Sequence, residues 1–425
     1  MKRRNFLAAL LATAGCAAAR ADSPRRPGGG AKPRPAKLEP SPQVLGDMRT
    51  LAEGANAFAF EMYDQLSGAS ANKGNFAYSP ASISTALAMT FAGARGETAQ
   101  QMADVMHFEL PPAQLHAAYE AQLTAWNDPA RTAYELAVVN RLFGEQSSKF
   151  HDAFVQLTGD RYGAPLEAVD FIGAPEQARV RINAWVAEQT RKRIDNLLPP
   201  GSIESLTRLV LTNAVYFKGK WKTEFDKKAT SPGPFHRGGG GPVSVPMMRM
   251  TADFAYARHP DVTVMRMPYA GDELAMDVFV PNERDGIAEL EAALDDKQVQ
   301  TWLAALSTTE VEVTLPRLKI DPPEPISLSN ALTALGMELP FVPAADFSAM
   351  ADISPLYIDD VFHKAFVELN EEGTEAAAAT AVVMKTESAM MSEPARLTAD
   401  RPFVFMIRDL RSGAILFAGR VADPS

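Results

Sequence analysis

The sequence predicts an α+β protein folded as one large unit, and three observations lead there. Apolar residues recur with helical spacing over Leu45 to Leu66, Glu176 to Ile194 and Ile287 to Leu294. Strand-like stretches lie between and after them, at Leu209 to Phe217, Val262 to Met267, Leu274 to Val280 and Phe403 to Ile407. No internal repeat and no long linker separates Val44 from Pro424, so both element types belong to one body.

In chain order, each element has a local cause. Ser79-Pro80 starts a helix: the hydroxyl caps free amides, and proline's missing N–H costs nothing at the first turn. That helix runs through Ile83, Leu87 and Phe91 and stops at Gly93 or Gly96. Thr98 and Gln101 are spaced as a capping box for the next helix. Gly238 to Gly241 reads as a turn. Glu310 to Leu315 alternates strictly, which places Val311, Val313 and Leu315 on one face of a strand. His363 to Leu369 is also strand-like.

Composition narrows the function. The chain has 425 residues, 46% of them hydrophobic, ample for a sizeable core. Its 52 acidic against 42 basic residues give a net charge of −10, which argues against a nucleic-acid binder. One cysteine excludes an intramolecular disulfide and a zinc site with two thiolates. The six histidines (107, 116, 151, 236, 259 and 363) show no ligand spacing, so no metal or other cofactor is expected. Outside the N-terminus, no apolar run approaches the roughly 18 residues of a spanning helix.

Met1 to Ala21 reads as an export signal, with basic Lys2, Arg3 and Arg4 before an apolar stretch from Phe6 to Ala14. Arg3-Arg4-Asn5-Phe6-Leu7 resembles a bacterial twin-arginine signal. Cys16 follows Ala14-Gly15 where a lipoprotein signal would place it; the alternative is that it leaves with a signal cut after Ala21. That cut removes Lys2, Arg3, Arg4 and Arg20 and takes the net charge from −10 to −14. Residues 22–43 are rich in proline and glycine and read as a disordered tether, with the folded domain over 44–425. The expected location is therefore periplasmic, secreted, or lipid-anchored to the cell envelope.

Catalytic patterns are nearly absent. There is no GxSxG elbow, no P-loop and no GxGxxG. Ser70-Ala71-Asn72-Lys73 satisfies SxxK, but neither SDN nor KTG follows, and its neighbours read as a surface loop. Asp295-Asp296 and Asp359-Asp360 lie beside turns as solvated pairs. An enzyme is not expected.

Glu371 to Thr386 behaves differently. Alanine richness alone says helix. Gly373, however, provides a backbone pivot, and beyond it Thr374, Ala376, Ala378, Thr380 and Val382 share one face of an extended strand. All are small or β-branched, and no proline occurs from Glu371 to Glu393. Such a segment can be a loop in one state and a central strand in another.

Here the chain resembles the serpin family. The hinge EEGTEAAAAT, with Glu371, Gly373, Thr374, Glu375, Ala376, Ala377, Ala378, Ala379 and Thr380, matches the family's inhibitory hinge almost letter for letter. Asn75 to Pro80 with Ser82-Ile83-Ser84, Thr212 to Trp221, Val245 to Met248, Leu315 to Leu318 and Ala399 to Phe405 match in family order. The resemblance implies three β-sheets surrounded by eight to nine helices, with an exposed reactive-centre loop. It implies a metastable monomer that a serine protease cleaves, after which the hinge inserts into the main sheet and traps the acyl-enzyme. It further implies that Ser79, Ser82, Asn213 and His363 form a shutter beneath the sheet, and that Trp221, Arg317 and Glu371 form a breach at the hinge's entry.

The reactive bond is counted from the hinge. Sixteen residues beyond Glu371 lies Glu387, giving Glu387-Ser388 and a glutamate-preferring target. Counting back from Pro402-Phe403 gives Met391-Ser392, which suits elastase-like or chymotrypsin-like enzymes. Pro111 to Asn127, where some serpins carry a heparin-binding helix, has no Lys or Arg, so no heparin control is expected. Lys218, Lys220, Lys222, Lys227 and Lys228 read as a solvated basic face. The competing readings are a non-inhibitory serpin used for binding or chaperoning and, remotely, a hydrolase using Ser70 and Lys73.

Overall fold

A serine followed by a proline starts both of the first two helices in the computed structural model, which describes residues 41–69, 74–238, 240–374 and 393–425. Ser70, Lys73, the hinge from Glu375 to Thr380, and the candidate bonds Glu387-Ser388 and Met391-Ser392 lie outside those residues. So does the chain before Ser41. Helix α1 (Pro42–Gly68) is capped by the Ser41 hydroxyl, which accepts from Val44 N at 3.3 Å. The folded body therefore begins slightly before the expected Val44. After β1 (Phe76–Tyr78), helix α2 (Pro80–Phe91) is capped by Ser79, as its sequence predicts.

The capping box expected at Thr98 does not form. Helix α3 (Gly96–Val105) starts two residues earlier, with Arg95 at its cap position. The Thr98 hydroxyl instead accepts from Asp346 N at 2.8 Å, and Gln101 Oε1 accepts from Leu339 N at 2.7 Å. Both side chains satisfy a distant turn rather than their own helix.

Helix α4 (Pro112–Trp126), β2 (Tyr134–Glu145), α5 (Asp152–Tyr162), β3 (Leu166–Val169) and α6 (Pro175–Gln189) follow. The last ends five residues before the expected Ile194, because the Thr190 hydroxyl accepts from Ile194 N at 3.1 Å and turns the chain. Arg191 and Lys192 make that turn with φ of 50° and 63°, a conformation unfavourable for residues with a Cβ. Next come β4 (Leu209–Lys220), β5 (Ser231–His236), β6 (Pro242–Arg258), β7 (Val262–Pro268) and β8 (Leu274–Pro281). Helices α7 (Ile287–Ala292) and α8 (Asp296–Ala304) precede β9 (Ser307–Pro316), β10 (Leu318–Ile320), β11 (Ile326–Ser327) and α9 (Ser329–Ala334). The chain closes with β12 (Phe362–His363), β13 (Val367–Asn370), β14 (Gly373–Thr374), β15 (Ala395–Thr398), β16 (Phe403–Asp409) and β17 (Ile415–Val421).

Three sheets and nine α-helices are present among the described residues, as the resemblance implies. A nine-stranded sheet runs β1-β17-β16-β8-β7-β6-β9-β15, with β5 also on β6. Every residue of β8, β16 and β17 is buried, and Phe405 and Phe417 share one core with Phe58 and Met62 of α1. On β9, Val311, Val313 and Leu315 are fully buried, which bears out the alternation. The main sheet has six strands in the order β10-β13-β14-β4-β2-β3. A second core, with Phe143 and Ala214 against Ile182, Trp185 and Val186, seats α6 on that sheet.

The strand expected over His363 to Leu369 is broken in two. β12 pairs with β11 (His363 opposite Ile326), whereas β13 pairs with β10 (Val367 opposite Ile320). Between these registers residues 364–366 face 321–325, where Pro322, Pro323 and Pro325 offer no N–H to a ladder.

Replacing the exposed Lys192 by glycine removes its unfavourable backbone conformation. Lys192→Gly is expected to stabilise the protein by about 1 kcal/mol, read as a higher thermal midpoint. An unchanged or lower midpoint would show that the turn carries no strain.

Candidate functional site: a strand entrance and the polar cluster beneath it

The hinge enters the main sheet through a tight hairpin. β13 and β14 are antiparallel, with Leu369 opposite Thr374 and Asn370 opposite Gly373, so Glu371 and Glu372 form the turn. On its other side β14 pairs with β4, Gly373 opposite Lys220 and Thr374 opposite Gly219. Only glycine fits at 373. Its φ is +145°, and a Cβ there would lie 2.0 Å from the Gly219 carbonyl oxygen.

Both turn residues are buried, and each carboxylate has a cation. Arg317 Nε donates to the Glu371 oxygens at 2.7 and 2.9 Å, and the Thr230 hydroxyl donates to the same carboxylate at 2.6 Å. Burial pushes the Glu371 carboxyl up, but these hydrogen bonds outweigh it and hold the group below the usual carboxylate range. Lys227 pairs with Glu372. The backbone is held too: Trp221 N donates to Glu372 O at 2.8 Å, and Phe225 N donates to Glu371 O at 2.9 Å. Trp221 Nε1 donates to Asn370 O at 3.0 Å. Its indole stacks on Tyr269 at 4.6 Å, and the Tyr269 hydroxyl lies 2.7 Å from Thr374 Oγ1. Trp221, Arg317 and Glu371 thus meet at one entrance.

The four shutter candidates also come together. Ser79 N donates to His363 Nε2 at 3.0 Å, and Ser79 Oγ donates to Leu416 O at 2.6 Å. Ser82 Oγ donates to Asn213 Oδ1. Two further residues extend this cluster and were not legible in the sequence. Asn213 Nδ2 donates to Asn140 Oδ1 at 2.6 Å, and Asn140 Nδ2 donates to Tyr162 O at 2.9 Å. Their only sequence signal is a pair of asparagines directly opposite one another on β2 and β4, visible once that register is known. A cleft of about 400 Å³ runs beside Leu209 to Val215 of β4 and is lined by Ser79, Asn213 and His363.

The remaining calculated expectations sort as follows. Lys222 bonds Asp272 at 2.8 Å and Lys220 lies 3.5 Å from Glu224, so the basic run is partly neutralised. Asp295 caps α8 through Gln298 N at 2.7 Å, and Asp360 accepts from Val361 N at 2.7 Å, giving both acidic pairs a structural role. No cluster of metal-ligating side chains occurs among the described residues.

His363 accepts a hydrogen bond at Nε2, so that nitrogen carries no proton. Burial lowers its pKa from 6.5 to about 4, and burial with nearby Arg161 does the same to His116. The unfolded chain takes up these protons near pH 6.5, while the folded chain refuses them until about 4. Stability is therefore expected to fall as pH drops through that window, by about 3 kcal/mol at most for each ring. His363→Gln, which keeps an acceptor, is expected to show a shallower fall in thermal midpoint between pH 6.5 and 4; parallel profiles would remove His363 from the account. Separately, Glu371→Lys sets a cation against Arg317. It is expected to release the hinge and give oligomers on native gels after mild heating, and a persistent monomer would count against the entrance contact.

A family model described as "Serpin (serine protease inhibitor)" matches residues 53–424. Leukocyte elastase inhibitor from Bos taurus is 40% identical over 385 residues, covering 89% of this chain and all of that protein. A solved structure of cleaved Serpin 42Da superposes with a TM-score of 0.79 at 30% identity, covering 89% of this chain and all of that one. Human thyroxine-binding globulin superposes at 0.80 with 26% identity, covering 90% of this chain and all of that one. With nearly the whole folded body matched in sequence and in architecture, the chain belongs to the serpin family.

Proposed function

We propose that this serpin is a serine-protease inhibitor that acts once, as a suicide substrate. The observation that carries this reading is the strand Gly373–Thr374, seated between β13 and β4 with Ala376–Ala379 next in sequence. β4 pairs with β2 from Leu209 to Gly219. Among the described residues its opposite edge is paired only at Gly219 and Lys220. A cleaved hinge would add to that edge, passing the cleft beside Leu209 to Val215.

The energetics support the reading. About fifteen newly paired residues, at about 0.5–1.5 kcal/mol net per hydrogen bond, release on the order of 10 kcal/mol. A typical domain is held by about 5–15 kcal/mol, so distortion of an attached protease is within reach. The protease serine attacks the loop carbonyl, the acyl-enzyme forms, and insertion outruns its hydrolysis.

The reactive bond in this proposal is Glu387-Ser388, with Met391-Ser392 as the alternative. A relative named as an elastase inhibitor places elastase-like enzymes beside glutamate-preferring ones in the test panel. The proposal includes export by the N-terminal signal, with Cys16 either lipidated or removed, and action as a monomer. No helix among the described residues is long and apolar enough to cross a membrane. The likeness to thyroxine-binding globulin favours a second reading, a binding protein without inhibition.

Incubation with a panel of serine proteases is expected to give complexes that survive SDS. Mass spectrometry of the released C-terminal fragment is expected to find Ser388 at its N-terminus. A fragment starting at Ser392 moves the bond to the alternative. Cleavage without complex and without a gain in heat stability favours the binding protein.

A further inference from the structure

The Glu371–Glu372 turn places two carboxylates side by side at the entrance, buried to 2% and 4% exposure. Arg317 and Thr230 hold the first. The second has one cation among the described residues: Lys227, from the single helical turn Lys227–Ala229. One Glu372 oxygen takes that ion pair, and the other is buried without a hydrogen-bond partner. A buried carboxylate so poorly supplied depends on its one cation. Glu372 also fixes the turn through its backbone, with its N–H on Asn370 Oδ1 at 3.0 Å and its carbonyl accepting from Trp221 N at 2.8 Å. Displacement of its side chain therefore pulls on both strands that flank Gly373–Thr374.

We propose that Lys227 is a positioning residue for loop insertion: by neutralising Glu372 it keeps the hairpin turn closed and Gly373–Thr374 seated between β13 and β4. Arg317 cannot substitute, because its guanidinium is committed to Glu371 and approaches from the end of β9. Lys227 is itself half-exposed, so the pair combines a solvated cation with a buried anion. Removal of the lysine leaves the carboxylate without a counter-charge; removal of both charges leaves an amide that tolerates the site. The inference rests on the inhibitory reading only for its effect on the protease, since the closed turn is a property of the free protein.

The test separates these two parts. In Lys227→Met, hydrogen exchange at the amides of residues 367–374 and 217–222 is expected to quicken about fivefold, the factor for one hydrogen bond to a buried charge. The number of inhibitor molecules consumed per protease trapped is expected to rise, because a withdrawn hinge inserts more slowly. Lys227→Arg is expected to behave like the wild type. Glu372→Gln in the Lys227→Met background is expected to restore slow exchange, which general damage to the fold would not allow. Unchanged exchange in Lys227→Met, or failure of Glu372→Gln to restore it, overturns the positioning role. If exchange responds as expected while no variant, wild type included, forms an SDS-stable complex, the positioning role stands and the inhibitory reading fails.

Discussion

The main sheet depends on a two-residue contact. Among the described residues, β13 and β4 are joined through Gly373–Thr374. Residue 373 must be glycine because the Gly219 carbonyl occupies the space a Cβ would need. Gly219 is equally constrained, with Phe217 and Tyr269 at 2.5 and 3.0 Å from its own would-be Cβ. Two side-chain-free positions on adjacent strands let the backbones meet, and the aromatic pair Trp221–Tyr269 closes the space around them. The chain has thus fitted the first rung of a ladder at a point where larger residues would hold the strands apart.

Charge then fixes the turn that delivers this rung. Consecutive buried glutamates repel, and neither would be stable there without a cation from another part of the chain. Arg317 comes from the end of β9, while Lys227 comes from the segment between β4 and β5. The entrance is consequently assembled from three regions distant in sequence. Beneath it the cohesive groups are neutral: hydroxyls, amides and an imidazole stripped of its proton by burial. A neutral cluster can exchange partners without stranding a charge, which suits a place where strands are expected to part.

Much of this arrangement was legible in the residues themselves. Ser79-Pro80 identified a helix start by chemistry that acts within one turn, and the Glu310–Leu315 alternation identified a buried strand face. The small residues after Gly373 identified a segment suited to strand formation, and the family resemblance supplied its partners. The readings that failed share a cause. Thr98 and Gln101 had the right spacing to cap their own helix, but turns near Asp346 and Leu339 claimed their side chains. Thr190 ended α6 because its hydroxyl found Ile194 N, an option that helical periodicity does not register. Asn140 carried no signal of its own, since an asparagine on a strand acquires a role only when the register sets Asn213 opposite. Local rules placed the elements, and long-range hydrogen bonds decided their ends and their functional neighbours.

The prolines between β10 and β11 have a mechanical consequence. A continuous ladder from Leu318 to Ser327 would make the outer strand a stiff beam, so that moving its top would move its base. Instead, five residues face three, and the ladder is interrupted between Ile320 and Ile326. The upper segment, which carries the hinge, is thereby uncoupled from the lower one, which carries His363. Displacement at the entrance can be absorbed in the compliant link at 364–366 without straining the Ser79–His363 hydrogen bond. The sheet is built to part in two stages, like a zip fastener with a gap between its upper and lower teeth.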